Sequence, residues 1–377
     1  MIAVIADDFT GAAELAGIGL RYRLSVQLFT EEVERTDAEL IVVSTNSRSL
    51  NRAEALLVTH KAMEALMALK PKFIYKKTDS VLRGHVVDEL KEQMQLQEFD
   101  KALFLPANPS LGRTIVNGNY YINNVLIHET SFAIDPEFAV TDSAVKSMLR
   151  ANDDRDVFVL KHTSELPSKG IVVSEVESKA DIEAWLKKID TGFLIAGAGD
   201  CFETLLEKLG CQKRTVENVA LLQPHLYVSG TSFNKSVQLI KEIENKSAVV
   251  HYLSSAIMQE QDDEQWYQQI ALSIQQKQKA VIAIDEAVTQ SISISALALR
   301  TVMAKAVKKV VETNNIHEVL IEGGSTAAAI LAEMNLHEFV PANEFSRGVI
   351  RMKSNDLFVT VKPGSYELSQ QIKDLYL

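Results

Sequence analysis

The chain is short of several things, and each shortage excludes something. Only two cysteines, Cys201 and Cys211, occur in 377 residues. Their spacing matches no zinc pattern and no histidine pair accompanies them, so a disulfide framework is excluded and no metal ligands are assigned. No apolar run approaches the roughly 18 residues of a membrane span. The first apolar run, Ile2–Ala6, is too short for a secretory signal and has no basic stretch before it, so the expectation is a cytoplasmic protein with no membrane partner. Positive charge is also scarce: 39 Lys and Arg stand against 50 Asp and Glu, a formal net charge of −11. Nucleic acid, whose phosphates need a basic face, is therefore excluded as a partner. A small anion is not, provided the few cations are concentrated locally. Tandem repeats and low-complexity segments are absent.

What is present is ordinary in composition, 46% hydrophobic and 24% charged, and too long for one core to be the default. Short β-like runs alternate with helical patterns: strands at Ile2–Ala6, Leu40–Ser44, Phe73–Tyr75 and Ala102–Leu105, and helices at Ala12–Tyr22, Asn51–Leu69 and Val86–Gln97. Residues 106–156 read as loops and short elements. Strands at Val157–Leu160, Gly170–Val173 and Phe193–Ala196 and a helix at Ala180–Ile189 follow. Cys211–Pro224 is polar and aperiodic, the best boundary. Beyond it the alternation resumes, with strands at Leu226–Val228, Ala280–Ile284, Glu318–Ile321 and 357–361 and helices at Gln238–Glu244, Ala296–Thr313 and Ala327–Met334. The expectation is two α/β domains, 1–212 and 225–377, with mostly parallel sheets and an active site in the cleft between them.

Ligands of open α/β sheets bind beyond the carboxyl ends of the strands, so the residues that follow each strand matter. The first strand ends on ADDFTGA, where Asp7 and Asp8 are adjacent like charges that a capped turn alone does not require. The second is followed by TNSRS with Arg48, the third by KKTDSVLRGH with Lys76, Lys77, Asp79 and Arg83, and the fourth by PANPSLGRTIVNG with Arg113. A solvated surface explains such cations poorly at the end of a central strand. Arginine suits bidentate capture of a carboxylate and lysine supplies a point charge. A small hydroxy acid would meet both an anion clamp and a carboxylate there. In the second half, apolar strands run into SGTS (Thr231, Ser232), EGGSTA (Gly323, Gly324, Ser325, Thr326) and KPGSY (Gly364). These are glycine turns of the kind that lets phosphate approach backbone N–H groups at a helix start. Neither a Walker A loop nor a GxGxxG fingerprint is present.

Taken together, ADDFTGA, KKTDSVLRGH, PANPSLGRT, SGTS, EGGSTA and KPGSY resemble the four-carbon acid sugar kinases. The resemblance implies ATP-dependent phosphorylation, with Mg²⁺, of the terminal hydroxyl of threonate, erythronate or 3-oxo-tetronate. It implies a sugar-acid domain first and a nucleotide domain second. Nucleotide contacts would then fall on Gly323, Gly324, Ser325, Thr326 and Gly364, and around Thr231 and Ser232. Asp8 is assigned the catalytic role of accepting or orienting the hydroxyl proton. Substrate contacts are assigned to Asp7, Arg48, Lys76, Lys77, Asp79, Arg83 and Arg113. The last loop departs from the family's usual Phe-Gly ending, with Tyr366–Glu367 in its place. A non-catalytic sugar-acid sensor and a nucleotide-dependent sugar-acid dehydrogenase are the alternatives. A homodimer is left open.

Overall fold

The computed structural model describes every residue except 32, 34, 35, 135–138, 190, 191, 215–218 and 232, and only the backbone at 134. The chain divides into two compact units, Met1–Arg214 and Thr215–Leu377.

The first unit is built on eight parallel strands. In chain order the strands of this unit are β1 (Ile2–Ala6), β2 (Val26–Phe29), β3 (Leu40–Ser44), β4 (Ile74–Lys77), β5 (Lys101–Leu105), β6 (Arg113–Val116), β7 (Asn119–Ile122), β8 (Val125–Leu126), β9 (Val157–Leu160), β10 (Gly170–Ser174) and β11 (Phe193–Gly197). The main sheet has the order β2-β3-β1-β4-β11-β5-β10-β9, and each of its ladders is parallel. IAVIA, LIVVS and GIVVS are buried at every position, as strands covered on both faces must be. Helix α1 (Phe9–Arg21) follows β1 directly because Asp8, extended at φ −145°, caps it by accepting from the Gly11 N–H. Helix α2 (Arg52–Ala68) starts on an Asn51–Glu54 capping box, and α3 (Val86–Leu96) leads toward β5.

Two sequence expectations change here. The strand expected at Phe73–Tyr75 runs on through Lys77, because Lys76 and Lys77 pair with Ile5 and Ala6 of β1 on one side and with Ala196 and Gly197 of β11 on the other. Two ladders outweigh the cost of burying two ammonium groups, since each finds a carboxylate. Within 106–156, β6, β7 and β8 form a three-stranded antiparallel sheet. Its first turn is Asn117–Gly118, both at positive φ, a short-hairpin signal that was legible in the sequence.

The second unit contains β12 (His225–Ser229), β13 (Val250–Tyr252), β14 (Lys279–Ala283), β15 (Glu318–Glu322), β16 (Glu338–Ser346), β17 (Val349–Ser354) and β18 (Leu357–Lys362), ordered β13-β14-β12-β15-β18-β17-β16. The first five positions are parallel and the last two strands join antiparallel. A core of Tyr227, Val281, Leu320, Val349 and the C-terminal helix residues Ile372 and Tyr376 closes one face. Among the described residues no single helix is long and apolar enough to cross a membrane.

Candidate active site

Because β1, β3 and β4 are neighbours and parallel, the residues after them emerge at one edge of the first unit. Asp7, Asp8, Arg48, Lys77 and Asp79 meet there. Arg48 is the hub. Its Nε and Nη2 donate to the two oxygens of Asp7, each at 3.0 Å, and Nη2 also donates to Asp8 Oδ1 at 2.8 Å. Its Nη1 lies 3.8 Å from Asp79. Gly84, at φ +91°, lies against the stem of Arg48: a Cβ there would sit 3.2 Å from Arg48 Cγ, in a backbone conformation that other residues resist.

Asp8 carries further bonds. Its Oδ2 accepts from the Thr10 hydroxyl at 2.6 Å, and its Oδ1 accepts from the Gly11 N–H at 3.0 Å. Asp79 accepts from Arg83 Nε at 2.6 Å, Nη2 at 3.1 Å and the Arg83 backbone N–H at 3.1 Å. Lys77 lies beneath, 3.5 Å from Glu14 of α1, and donates to the Thr78 carbonyl at 2.9 Å. Arg113, the first residue of β6, donates to the Ser80 hydroxyl, while Tyr120 donates to the Ser80 carbonyl. The Phe132 ring lies 5.7 Å from the guanidinium carbons of both Arg83 and Arg113. Leu82 of the same loop sits at φ +66°, the kind of strained conformation that clusters at functional segments.

Four carboxylates (Asp7, Asp8, Glu14, Asp79) thus stand against four cations (Arg48, Lys77, Arg83, Arg113). Burial pushes Asp8 up, but Arg48 and Lys77 outweigh it and hold its carboxyl below the usual range. For Asp79, burial is likewise overcome by Arg83 and Arg48, and the group is held far below that range. Asp7 goes the other way: burial dominates the relief from Arg48, and the neighbouring Asp8 charge adds to it. Arg48 is locked in its charged form, since Asp7, Asp8 and Asp79 together overcome its desolvation. The result is a fixed, ionised acceptor at the start of a helix, while Arg83, on Asp79, keeps 20% of its side chain exposed. Such a group can orient a hydroxyl and accept its proton.

Two expected substrate contacts need correction. Lys76 is fully buried and its ammonium pairs with Glu89 of α3. Successive strand side chains point to opposite faces, so Lys76 and Lys77 cannot both serve one site. Arg48 is at most a partial clamp for a substrate anion, because its Nε and Nη2 already bind Asp7 and Asp8 and only Nη1, 3.8 Å from Asp79, is left over. Glu14 is the residue that the motifs missed. It is the only charge in the apolar run between Phe9 and Leu20, and a lone acid on a buried helix is itself a signal.

In the second unit the three glycine loops leave adjacent strands, β12, β15 and β18. Gly230 N–H donates to the Glu322 carbonyl and Gly323 N–H to the Lys362 carbonyl, both at 3.0 Å. The Thr326 hydroxyl donates to the Gly230 carbonyl at 3.2 Å. A Cβ on Gly230 would collide with that threonine, and one on Gly364 would lie 2.7 Å from the Thr231 hydroxyl. Below the loops Glu322 is fully buried and accepts from Tyr227, from Ser236 and from Lys362 at 2.5 Å. Lys362 is pushed down by burial, with Glu322 countering. Gly323 precedes the helix Gly324–Glu333, so Gly324, Ser325 and Thr326 form its first turn, where N–H groups and the dipole suit an anion. Thr326 spends its hydroxyl on the loop, and Ser232 lies outside the described residues. Tyr366 packs over Gly348, and Glu367 pairs with Lys235 at the surface.

The family described as "sugar-binding N-terminal domain" matches residues 2–199, a segment that ends just beyond β11. Among curated relatives, a D-threonate kinase of Bordetella bronchiseptica is 34% identical over 156 residues, 39% of this chain and 38% of that protein. Its match, like those of the other first relatives, spans less than half of the relative's length. A 3-oxo-tetronate kinase of Haemophilus influenzae is 23% identical over 413 residues, covering 97% of each chain. A crystal structure from Haemophilus influenzae shares the fold with a TM-score of 0.73 at 18% identity, covering 99% of this chain and 98% of that one. On the residues matched, which make up more than half of its length, this chain belongs to the sugar-binding N-terminal domain family.

Proposed function

We propose that the protein is an ATP-dependent kinase that transfers phosphate to the terminal hydroxyl of a four-carbon sugar acid such as threonate, erythronate or 3-oxo-tetronate. The observation that carries this reading is the buried cluster around Arg48, which holds Asp8 ionised at a strand end inside the sugar-binding domain. Curated relatives that act on such acids support it.

In this reading Arg83 and Arg113 meet the substrate carboxylate, with Lys77 adding positive charge below. Asp8 orients the terminal hydroxyl and accepts its proton. Phosphoryl transfer asks mainly for positioning and charge neutralisation, so an ionised carboxylate of depressed pKa suffices. Asp7, with both oxygens on Arg48, fixes the arginine that fixes Asp8 and is a positioning residue. Nucleotide phosphates would lie on the first turn of Gly324–Glu333, flanked by the loops at Thr231 and Gly364. ATP supplies the phosphoryl group, and Mg²⁺ neutralises its charge. A magnesium ion carried by phosphates and water needs few protein ligands, and no group of three or more His, Cys, Asp or Glu side chains arranged to hold a metal ion occurs among the described residues.

A thermal-shift series with ATP–Mg²⁺, NAD⁺ and several tetronates tests the reading, since a ligand that binds the native state raises the midpoint. Stabilisation by ATP–Mg²⁺ and by at least one tetronate is expected. Stabilisation by NAD⁺, or by a tetronate but never by ATP–Mg²⁺, contradicts it.

A further inference from the structure

The first unit has a second concavity at the opposite edge of its sheet. The turn from α2 into β4 and the start of β11 enclose a cavity of about 530 Å³, within the range of small-molecule sites. Its floor is apolar, with Phe73, Phe99, Phe193 and Leu205 among the lining residues. Phe193 and Leu205 are buried, whereas Leu209 at the mouth is 51% exposed. Lys70, Lys72 and Lys208 also line it, and among the described residues no aspartate or glutamate does. A fourth cation, Lys101, lies 4.4 Å from the Phe193 ring centroid. In a chain with 50 acidic and 39 basic residues, a concavity whose described lining is apolar apart from Gln97 and three lysines departs from the surrounding charge. Lysine stems can cover apolar surface while their ammonium groups stay in water. The complementary ligand therefore has an apolar body and an anionic head.

We propose that this cavity binds an amphipathic carboxylate, its hydrocarbon or aryl body on the Phe73–Phe193–Leu205 floor and its carboxylate at Lys70 and Lys72, the Lys208 ammonium being held by the Leu186 carbonyl. The site is separate from the cluster around Arg48 and does not depend on the kinase reading: its residues lie at the amino ends of β4 and β11, whereas the Arg48 cluster follows the carboxyl ends of β1, β3 and β4.

Isothermal titration of the full chain with dodecanoate, kept below its micelle concentration, tests this, with dodecyltrimethylammonium as the cationic control of equal chain length. Saturable one-to-one binding of dodecanoate is expected, with the cation weaker by roughly tenfold or more. The exposed double variant Lys70→Glu/Lys72→Glu should weaken dodecanoate roughly tenfold with an unchanged melting midpoint. Hydrogen exchange should slow at 67–74 and 193–209 when dodecanoate is bound. Absent or non-saturating dodecanoate binding, equal binding of both amphiphiles, or an unaffected double variant would overturn the proposal. So would concentration-dependent self-association through this face that dodecanoate does not disperse.

Discussion

Asp8 and Asp7 are adjacent in sequence but placed in different electrostatic circumstances. Asp8 caps a helix and faces Arg48 and Lys77, which keep it ionised; Asp7 is deeper and pays more for burial. The kinase reading therefore predicts that Asp8→Asn lowers kcat by about 10²-fold or more, the scale of a lost general base, while ATP affinity measured by titration stays near wild type. A variant that turns over like wild type removes Asp8 from that role. Lys76 supplies the contrasting prediction. Its ammonium is fully buried against Glu89, and removing one partner of a buried pair costs ~3–5 kcal/mol. Lys76→Met should accordingly lower the urea midpoint strongly, and Lys76→Met/Glu89→Leu should recover much of the loss. The KM for the sugar acid should be unchanged in the folded double variant. The sequence could reveal the cations and acids at these strand ends, because their chemistry is out of place in an apolar context. It could not reveal which cation meets which acid. That depends on β4 extending by two residues, which turns Lys76 and Lys77 to opposite faces.

At the level of elements, one carboxylate ties the glycine loops together. Glu322, at the end of β15, accepts from Tyr227 of β12, from Ser236 of the helix Asn234–Lys246 and from Lys362 of β18. Three loop-bearing elements thus share one buried acceptor, and breaking it should loosen all three. Lys362→Met is predicted to raise the ATP dissociation constant roughly tenfold or more. Amide exchange at 230–233 and 364–366 should accelerate with little change in tetronate affinity. Glu322→Gln, which keeps the volume, should do the same more mildly. Unaltered exchange in those loops would show that the network does not hold them. The elements themselves were largely readable: buried apolar runs marked β1, β3, β10 and β12, and helix 296–313 appears with the boundaries its periodicity suggests. β2 went unread because four residues carry little periodicity. The β16–β17 hairpin went unread because polar Asn343, Glu344 and Arg351 interrupt its pattern although all three are buried, Arg351 by pairing with Glu318 at 2.7 Å.

At the scale of the whole molecule, the two units should respond differently to acid. Burial draws His225 and His251 of the second unit down to about 4 from an ordinary 6.5. The unfolded chain then takes up protons first, so their contribution to stability is complete above about pH 6.5 and declines as pH falls toward 4. Asp8 and Asp79 in the first unit have depressed values, so the stability they contribute is present above the ordinary carboxylate value of about 4 and is lost only below it. Hydrogen exchange followed from pH 7 to pH 4, corrected for intrinsic rates, should show protection eroding first in Thr215–Leu377. Earlier erosion in Met1–Arg214 would contradict this ordering. The central claim is a division of labour along one chain, with the sugar acid on the Arg48 cluster and the nucleotide on the glycine loops. Its most direct test is steady-state ADP release with threonate, erythronate and 3-oxo-tetronate, with the product mapped by phosphorus NMR. The account predicts acceptor-dependent ADP release with at least one of them and phosphate on the terminal oxygen. ADP release that is indifferent to every acceptor, or phosphate on another carbon, would contradict it.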